Sequence, residues 1–303
     1  MTGGVVDGPP QYPGPRSTFI KSAEILPPRT TIGAGDTWPI TQTIGGGIYG
    51  SAGDNSGATN STNASVYKMN VWQLEGAPFT SNWSARATHN QAGVWGIDGC
   101  TSTNVKPAGL LAVNDTLYLG VSCVGIGRQS DGQHRQSNIA GGLAVSTDLG
   151  KTFAPAPAKF FTGRLGSPQL INRGKGHSAA PDGFVYAHFC YGIDNKSFWD
   201  ANSHVLVGRA PEHRILERSS WRFYTAAGGW SADDDEATPV MSFADSLSQN
   251  QATYSQTLGR YLIANTAYLD PVHRRPVSYR NPSDGSQKGM QLTMFESPTP
   301  WGQ

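Results

Sequence analysis

Turn-forming residues recur along the whole chain and leave only short apolar runs between them. The 303 residues include 37 glycines and 20 prolines, and no linker-like stretch divides the sequence. Glycine and proline interrupt helices but are typical of the turns that join short strands. The pattern predicts an all-β protein, and its length is sufficient for one large hydrophobic core.

The short apolar runs fall into groups of up to four, and their alternation of polar and apolar residues predicts strands. Residues 211–217 have the pattern of a single short helix that begins at a proline. Recurring groups of antiparallel strands predict a β-propeller, and a β-sandwich is the alternative. The predicted strands are 41–49, 65–74, 109–113, 117–124, 143–146, 169–172, 184–190, 204–209, 221–224, 251–255, 260–264 and 290–296.

Charge and hydropathy exclude several classes of partner. The formal net charge is +1, from 23 basic and 22 acidic side chains, so the chain has no field that would attract a nucleic acid. No apolar run is long enough to span a membrane, and the N-terminus lacks the pattern of a signal peptide. A neutral ligand rich in hydroxyl groups fits this balance best.

The three cysteines allow at most one disulfide. Cys123 and Cys190 lie in apolar runs that predict strands, where a small buried side chain is the favoured interpretation. Cys100 lies in a polar loop and is expected either to form a disulfide or to remain free. Their spacing does not match a metal site.

Two acidic turns near the start of the chain carry the main functional signal. Asp36 lies in Gly-Ala-Gly-Asp-Thr-Trp and Asp54 in Gly-Ser-Ala-Gly-Asp-Asn. Glycine beside each carboxylate permits a tight turn that presents the side chain to a cleft. Two such carboxylates are the minimum for cleavage of a glycosidic bond. The alternative for each aspartate is a capping role within its own turn.

A third aspartate has a structural interpretation. The segment Ser-Thr-Asp148-Leu-Gly-Lys-Thr-Phe, residues 146–153, matches the Asp-box pattern of a β-hairpin turn. In that turn the aspartate caps backbone N–H groups, the glycine adopts a positive φ and the aromatic residue packs beneath. We therefore expect Asp148 to stabilise a turn and to take no part in catalysis.

Several segments in preserved order together resemble a family of five-bladed β-propeller proteins related to endo-D-arabinanases, which are glycoside hydrolases. They are Asp-Thr-Trp-Pro from residue 36, Ile-Tyr-Gly-Ser-Ala-Gly-Asp from 48, Lys-Pro-Ala-Gly-Leu-Leu from 106, the Asp-box hairpin, Asp-Gly-Phe-Val-Tyr from 182, Val-Gly-Arg-Ala-Pro from 207 with Arg-Ile-Leu-Glu-Arg-Ser-Ser-Trp from 214, Gly-Arg-Tyr-Leu from 259, and Glu-Ser-Pro-Thr-Pro-Trp-Gly from 296.

The resemblance implies a single domain over residues 1–303, in which residues 1–30 form an N-terminal arm or a segment that closes the ring of blades. It implies hydrolysis of an arabinan-type furanosidic polymer, with Asp36 and Asp54 as the catalytic pair on the first blade. The Asn-x-Ser/Thr sequons of the chain are weak support for a secreted or extracytoplasmic location.

One segment departs from the family pattern. Many relatives carry Trp-Ala-Asp-Asp-Gly where this chain reads Gln-Thr-Ile-Gly-Gly, residues 42–46. The loss of this acidic pair favours the alternative of a catalytically silent propeller that binds glycan. Two weaker alternatives remain. A polysaccharide lyase would require a base such as His177 and a charge-neutralising partner beside an acidic sugar. A sialidase-like enzyme would require a cluster of arginines, and the chain has no evident set.

Five further residues are candidates for substrate binding. Trp38 and Trp95 lie in loops where an aromatic ring can stack on a sugar, although core packing is the commoner role of a tryptophan. For Asp98, binding of substrate and capping of backbone N–H groups in its own loop are equally favoured interpretations. Lys106 is expected to reach a carboxylate or an anion, and His177 to donate to a sugar oxygen; a solvated side chain is the alternative for both.

We expect a polysaccharide or oligosaccharide as the partner and no cofactor, while a structural cation in the propeller channel remains an open alternative. The acidic run of residues 233–236 lacks the alternation of a calcium loop, and a solvated surface is its favoured interpretation.

Overall fold

The computed structural model describes residues 17–22, 38–53, 69–76, 82–91, 105–126, 136–192, 194–198, 202–247, 250–269 and 289–302. Within these ranges the regular structure consists of strands and short 3₁₀ turns, with no α-helix. The strands are β1 Ile40–Gln42, β2 Ile48–Gly53, β3 Met69–Glu75, β4 Ser84–Gln91, β5 Val105–Val113, β6 Thr116–Ile126, β7 Gln136–Ser146, β8 Ala154–Pro155, β9 Phe161–Thr162, β10 Pro168–Leu170, β11 Phe184–Tyr191, β12 Ser197–Phe198, β13 Asn202–Pro211, β14 Arg222–Tyr224, β15 Trp230–Ser231, β16 Met241–Leu247, β17 Gln251–Ser255, β18 Arg260–Leu269 and β19 Gly289–Ser297.

These strands form four antiparallel sheets. The first has the order β1-β2-β3-β4, and the second has the order β5-β6-β7-β12, with β8 and β9 also paired to β7. The third has the order β10-β11-β13-β14-β15, with β16 also paired to β13, and the fourth has the order β17-β18-β19. In every sheet the strand that comes first in the sequence lies at one edge.

Those four edge strands meet at the centre of the molecule. β1 contacts β5, β5 contacts β10, and β10 contacts β17. Asn172, just beyond β10, forms an isolated parallel bridge with Thr253 of β17. Sheets that radiate from a set of innermost strands are the blades of a β-propeller, so the predicted all-β propeller architecture is confirmed.

The blade number expected from the resemblance is wrong for the part of the chain that the structure describes. Four innermost strands begin at Ile40, Val105, Pro168 and Gln251, and each starts one sheet. The described residues therefore form four blades and not five. The number of blades could not be predicted from the sequence, because the loops between the strand groups differ in length. Blade number depends on which strands pair and not on the spacing of strands along the chain.

Three core clusters fill the spaces between consecutive blades. Met69 and Val71 of blade 1 pack with Leu110 and Leu119 of blade 2. Phe161 of blade 2 packs with Phe189 and Trp221 of blade 3, and Tyr186 of blade 3 packs with Ala252 and Tyr261 of blade 4. Burial of these apolar faces, at about 25 cal/mol per Å², holds the blades together.

Two glycines allow blade 3 to press against blade 2. A Cβ atom on Gly109 would lie 2.5 Å from the backbone nitrogen of Leu170, and one on Gly120 would lie 2.3 Å from the carbonyl oxygen of Pro168. Neither position accommodates a side chain. Because glycine has none, β10 can approach β5 and β6 this closely.

Asn172 joins three of the innermost strands. Its Nδ2 donates to the carbonyl oxygens of Ile40 at 3.0 Å and Leu110 at 3.1 Å, while its own carbonyl oxygen accepts from the Tyr254 backbone N–H at 2.8 Å. β1, β5 and β17 are thus linked through one residue at the end of β10.

Two local predictions differ from the structure. Residues 41–49, predicted as one strand, form the end of β1, a turn and the start of β2, because Gly46 adopts a φ of +99° that reverses the chain. Residues 211–217, predicted as a short helix, contain only a 3₁₀ turn at Glu212–Arg214.

Asp148 staples the turn after β7. Its Oδ1 accepts from Ser146 Oγ at 2.8 Å and from the Thr152 backbone N–H at 2.9 Å, while its Oδ2 accepts from Thr152 Oγ1 at 2.6 Å. These hydrogen bonds lower the pKa of Asp148 well below its usual range, so the carboxylate is ionised. Gly150 adopts a φ of +82°, as expected.

The described cysteines differ in state. Cys190 is a free thiol buried in β11, as predicted. Cys123 is buried in β6 as predicted but is also disulfide-bonded. The sequence could not distinguish these cases, because both residues lie in similar apolar strands. Cys100 lies outside the described residues.

Candidate functional site

The two ends of the propeller differ in chemistry. We call the end at which β1, β5, β10 and β17 begin the upper end, and the end at which they finish the lower end. Because neighbouring strands are antiparallel, β2, β6, β11 and β18 finish at the upper end. Loops before the innermost strands and after the second strands therefore meet there.

The β1–β2 hairpin leads to the upper end in a regular register. Ile40 faces Gly50, Thr41 faces Tyr49, and Gln42 faces Ile48. The ladder continues upward at least one step further, because the Ser51 N–H donates to the Pro39 carbonyl oxygen at 3.1 Å. The hairpin turn itself, residues 43–47, lies at the lower end.

Trp38 lies immediately above this ladder and is half-buried. Its ring centroid is 5.3 Å from that of Trp72, at a tilt of 56°. Trp72 is fully buried and covers Gly50, where a Cβ atom would lie 2.1 Å from the Trp72 Cη2 atom. The pair gives Trp38 a rigid base, and the half-buried ring remains partly accessible.

Lys106 also lies at the upper end. It is the second residue of β5, is half-buried and faces Ser122 of β6. The Ser122 hydroxyl is 3.0 Å from that of Ser167, which directly precedes β10, and both serines are fully buried. Blades 2 and 3 therefore share a polar contact near the start of their innermost strands.

Asp36, Asp54, Trp95 and Asp98 lie outside the described residues. Their predicted roles therefore remain predictions.

His177 lies at the lower end, in the 3₁₀ turn Lys175–His177. The preceding residue, Gly176, accepts a hydrogen bond from the Asn114 N–H at 3.0 Å and packs against Ile44 of the β1–β2 turn. Trp38 and Lys106 thus share one end of the propeller, while His177 lies at the other.

The His177 ring is buried and neutral. Burial lowers the pKa of His177, and the nearby Arg173 cation adds to this effect. Its Nε2 lies 3.1 Å from the Phe184 carbonyl oxygen. Because a carbonyl only accepts, Nε2 carries the proton and donates it to this bond.

Three buried amide side chains lie in strands near the upper end. The sequence analysis did not identify them as site residues. Asn70 is the second residue of β3, Asn138 the third of β7 and Gln169 the second of β10, and each is at most 1% exposed. The side-chain nitrogen and oxygen of each have no hydrogen-bond partner within the described part of the chain. Buried amides are normally paired. For Asn70 the sequence contained one signal of a buried amide, which is a polar residue between apolar residues in Met-Asn-Val-Trp.

His188, Cys190 and Asn250 form a buried group between blades 3 and 4. Asn250 Nδ2 donates to the Cys190 sulfur at 3.1 Å, and Asn250 also contacts His188. Burial lowers the pKa of His188 and raises that of the Cys190 thiol to about 12. Nε2 of the neutral histidine donates to the Pro300 carbonyl oxygen at 3.1 Å.

The acidic run has contacts that the sequence did not predict. Its residues are largely exposed, but Asp234 accepts a hydrogen bond from Arg218 at 2.6 Å. Over the described ranges, no three His, Cys, Asp or Glu residues are grouped so that they could hold a metal ion. The helical segments described are all too short to cross a membrane.

No protein-family model matches the chain, and no curated protein matches its sequence. Solved structures do match its shape. A protein of inferred hydrolase activity from Bacteroides ovatus is 13% identical with a TM-score of 0.51, over 88% of this chain and 67% of that one.

Two others are an α-L-arabinofuranosidase from Lactobacillus brevis and a GH43_1 enzyme from Xanthomonas citri. The first is 11% identical with a TM-score of 0.44, over 85% of this chain and 71% of that one. The second is 15% identical with a TM-score of 0.46, over 88% of this chain and 70% of that one. At these identities the similarity concerns the fold alone, and only the Bacteroides ovatus match has a TM-score above 0.5. The four sheets that meet at their first strands identify this chain as a β-propeller.

Proposed function

We propose that the protein is a glycoside hydrolase that cleaves an arabinan-type furanosidic polymer at the upper end of the propeller, with Asp36 and Asp54 as its catalytic carboxylates. The observation that carries this proposal is the register of the β1–β2 hairpin. Ile40 faces Gly50, and the same antiparallel register continued four residues further would place positions 36 and 54 opposite each other.

Residues directly opposite each other on adjacent strands have Cβ atoms about 4.5–5.5 Å apart and point to the same face. Glycosidases hold their two carboxyl groups about 5–9.5 Å apart, depending on mechanism. The extended register is therefore compatible with a working pair, whichever stereochemical course the reaction follows.

The proposed chemistry divides two tasks between these aspartates. One, protonated, donates its proton to the glycosidic oxygen as the bond to the anomeric carbon breaks. The other, ionised, either attacks that carbon or removes a proton from the attacking water. In the proposal, Trp38 and Trp95 stack on sugar rings, Asp98 accepts from ring hydroxyls, and Lys106 stabilises the ionised carboxylate.

His177 does not lie where a residue that binds substrate at the upper end would lie. It lies at the lower end with Nε2 bonded to Phe184, so the proposed reaction centre does not include it.

The binding-only alternative rests on residues 42–46, where relatives carry an acidic pair. In the structure this segment is the last residue of β1 and the turn that follows, at the lower end. Side chains there lie at the opposite end of β1 from the proposed reaction centre. This location supports the enzyme over the silent propeller.

The buried disulfide at Cys123 supports a secreted or extracytoplasmic location, because disulfides persist mainly in oxidising compartments.

Product release from a panel of polymers tests the proposal. The panel contains mycobacterial arabinogalactan, plant arabinan, and sialylated and uronic-acid polymers. The proteins are wild type, Asp36→Asn, Asp54→Asn and the control Asp235→Asn, whose side chain is 94% exposed. We expect wild type and the control to cleave an arabinan, and each of the first two substitutions to reduce the rate at least a hundredfold.

Full activity of Asp36→Asn or Asp54→Asn would refute the assignment of the pair. Binding of a polymer without cleavage of any would instead establish the glycan-binding alternative.

A further inference from the structure

A cleft of about 450 Å³ opens at the lower end between blades 3 and 4. Its walls include Arg173, which follows β10, Tyr254 of β17, Gln256 and Tyr261 of β18. A volume of this size is within the range of small-ligand sites. Because Arg173 follows the lower end of β10, the cleft is separate from the proposed reaction centre.

Arg173 is a fixed donor at the base of this cleft. The residue is only 4% exposed, and its Nη1 donates to Asp182 Oδ1 at 2.7 Å. Its guanidinium carbon lies 5.3 Å from the ring centroid of Tyr186 and 5.6 Å from that of Tyr261. Among the described residues its Nε has no hydrogen-bond partner. The ion pair and the two rings hold the guanidinium in one orientation.

Charge in and around the cleft is balanced. Burial alone raises the pKa of Asp182, but hydrogen bonds from Tyr186 and Arg173 outweigh burial and lower it. Asp182 is therefore ionised and neutralises Arg173. Glu212 lies within reach of the same pair and adds negative charge when ionised. A site without net positive charge favours a neutral ligand over an anion.

Tyr254, which is half-buried, supplies the surface on which a ring can stack, and Tyr261, only 5% exposed, supports it from the core side. The ring centroids of Tyr254 and Tyr261 are 4.9 Å apart. Burial raises the pKa of Tyr261 to about 12, so its hydroxyl group remains protonated near neutral pH. Gln256 is exposed at the rim and offers both a donor and an acceptor. Aromatic faces combined with fixed polar groups are suited to the two faces of a sugar ring.

We propose that this lower-end cleft is a second glycan-binding site, which holds a neutral sugar unit of a polymer at a distance from the upper end. The inference rests on the proposed function for the identity of that polymer. Tyr254, supported by Tyr261, stacks on the sugar, while Gln256 and Arg173 bond to its hydroxyl groups. A chain anchored there keeps its remaining units near the propeller and raises their effective concentration at the upper end.

Affinity gel electrophoresis tests the site without requiring hydrolysis. Retardation is measured in gels that contain soluble plant arabinan, mycobacterial arabinogalactan or a uronic-acid polymer. All variants carry Asp36→Asn, to suppress cleavage during the run. Tyr254→Ala and Gln256→Ala remove the stacking face and the rim amide, and Tyr254→Phe preserves the ring. Leu258→Ala is the matched control, since Leu258 is 38% exposed in the same β17–β18 turn.

We expect Tyr254→Ala to weaken binding to a neutral polymer about three- to tenfold. Gln256→Ala should weaken it less, while Tyr254→Phe and Leu258→Ala should bind as the parent protein does. In protein that retains Asp36, Tyr254→Ala should raise KM for the polymer.

Equal retardation of Tyr254→Ala, Gln256→Ala and the control would overturn the second site even if hydrolysis is normal. So would the absence of retardation by both neutral polymers, or a Tyr254-dependent retardation by the uronic-acid polymer alone. Tyr254-dependent binding to a neutral polymer that the protein never cleaves would instead support the second site and count against the proposed hydrolase. The failures of the two proposals are thus distinguishable.

Discussion

Thr41 Oγ1 donates a hydrogen bond of 2.6 Å to Asn172 Oδ1, and this contact ties the innermost strand of blade 1 to the residue that follows the innermost strand of blade 3. The same hydroxyl oxygen accepts from the Ala112 N–H of blade 2 at 2.8 Å. Three blades are therefore joined through two small polar side chains near the centre of the propeller.

Replacement of Asn172 should destabilise the whole propeller. Asn172→Ala leaves the carbonyl groups of Ile40 and Leu110 and the hydroxyl of Thr41 without their partner. We expect a loss of about 2–4 kcal/mol in the free energy of unfolding, and about 1–2 kcal/mol for Thr41→Val. Urea unfolding measures both. Thr257→Ala, at an exposed position of the β17–β18 turn, is the control. A change of less than about 0.5 kcal/mol for Asn172→Ala would contradict this role.

Gly50→Ala should disturb the tryptophan pair at the upper end. The added Cβ atom would lie 2.1 Å from Trp72, so the Trp72 ring and the Trp38 ring on it must shift. We expect destabilisation of about 1–3 kcal/mol from overpacking and a change in tryptophan fluorescence. Gly229→Ala is the matched control, because its Cβ atom would lie 3.6 Å from the nearest atom, Thr225 Oγ1. Unchanged stability and fluorescence in Gly50→Ala would show that Trp72 is not held against β2.

The buried histidines should make the protein less stable in mild acid. Burial lowers the pKa of both His177 and His188 below 6.5. As the pH falls below 6.5, the unfolded chain binds protons that the folded chain does not, so the free energy of unfolding decreases. Above that pH the stabilisation is complete. The slope is at most about 1.4 kcal/mol per pH unit for each histidine.

Unfolding in urea between pH 8 and pH 5 measures this slope. His177→Gln should reduce it, whereas His213→Gln, at an exposed position, should leave it unchanged. A slope in His177→Gln equal to that of wild type would mean that His177 takes up a proton as readily in the folded state as in the unfolded chain.

The Cys190 thiol should be inert in the folded protein. It is fully buried, and burial raises its pKa to about 12. The thiolate is the reactive form of a cysteine. We therefore expect native wild type and native Cys190→Ser to react with the same number of equivalents of a disulfide reagent at pH 8. In denaturant, wild type should release one more equivalent than the variant. A faster native reaction in wild type would show that blades 3 and 4 separate readily around this residue.

Local chemistry was readable from the sequence where a short segment decides its own structure. The turn around Asp148 is an example, because the serine, aspartate, glycine and threonine that form its hydrogen bonds lie within seven consecutive positions, 146–152. The buried strands around Cys190 are another, because a run of apolar residues between turns has few alternatives.

The sequence failed where contacts join distant residues. The turn inside 41–49 was missed because alternation continues through it. The amides of Asn70, Asn138 and Gln169 were missed because no local pattern shows that their side chains are buried. Likewise nothing near Arg173 in sequence indicates its cleft, which is formed with Tyr254 and Tyr261 more than 80 residues later.

The all-β class and the positions of most strands could be predicted from the sequence, because turn residues and period-two alternation act over a few residues. Three features became visible only in the folded chain: the described strands form four blades, Trp38 and Lys106 share an end while His177 lies at the other, and Asn172 joins the innermost strands. These features depend on pairing and packing between segments far apart in the chain, and such contacts leave no periodic mark in the sequence.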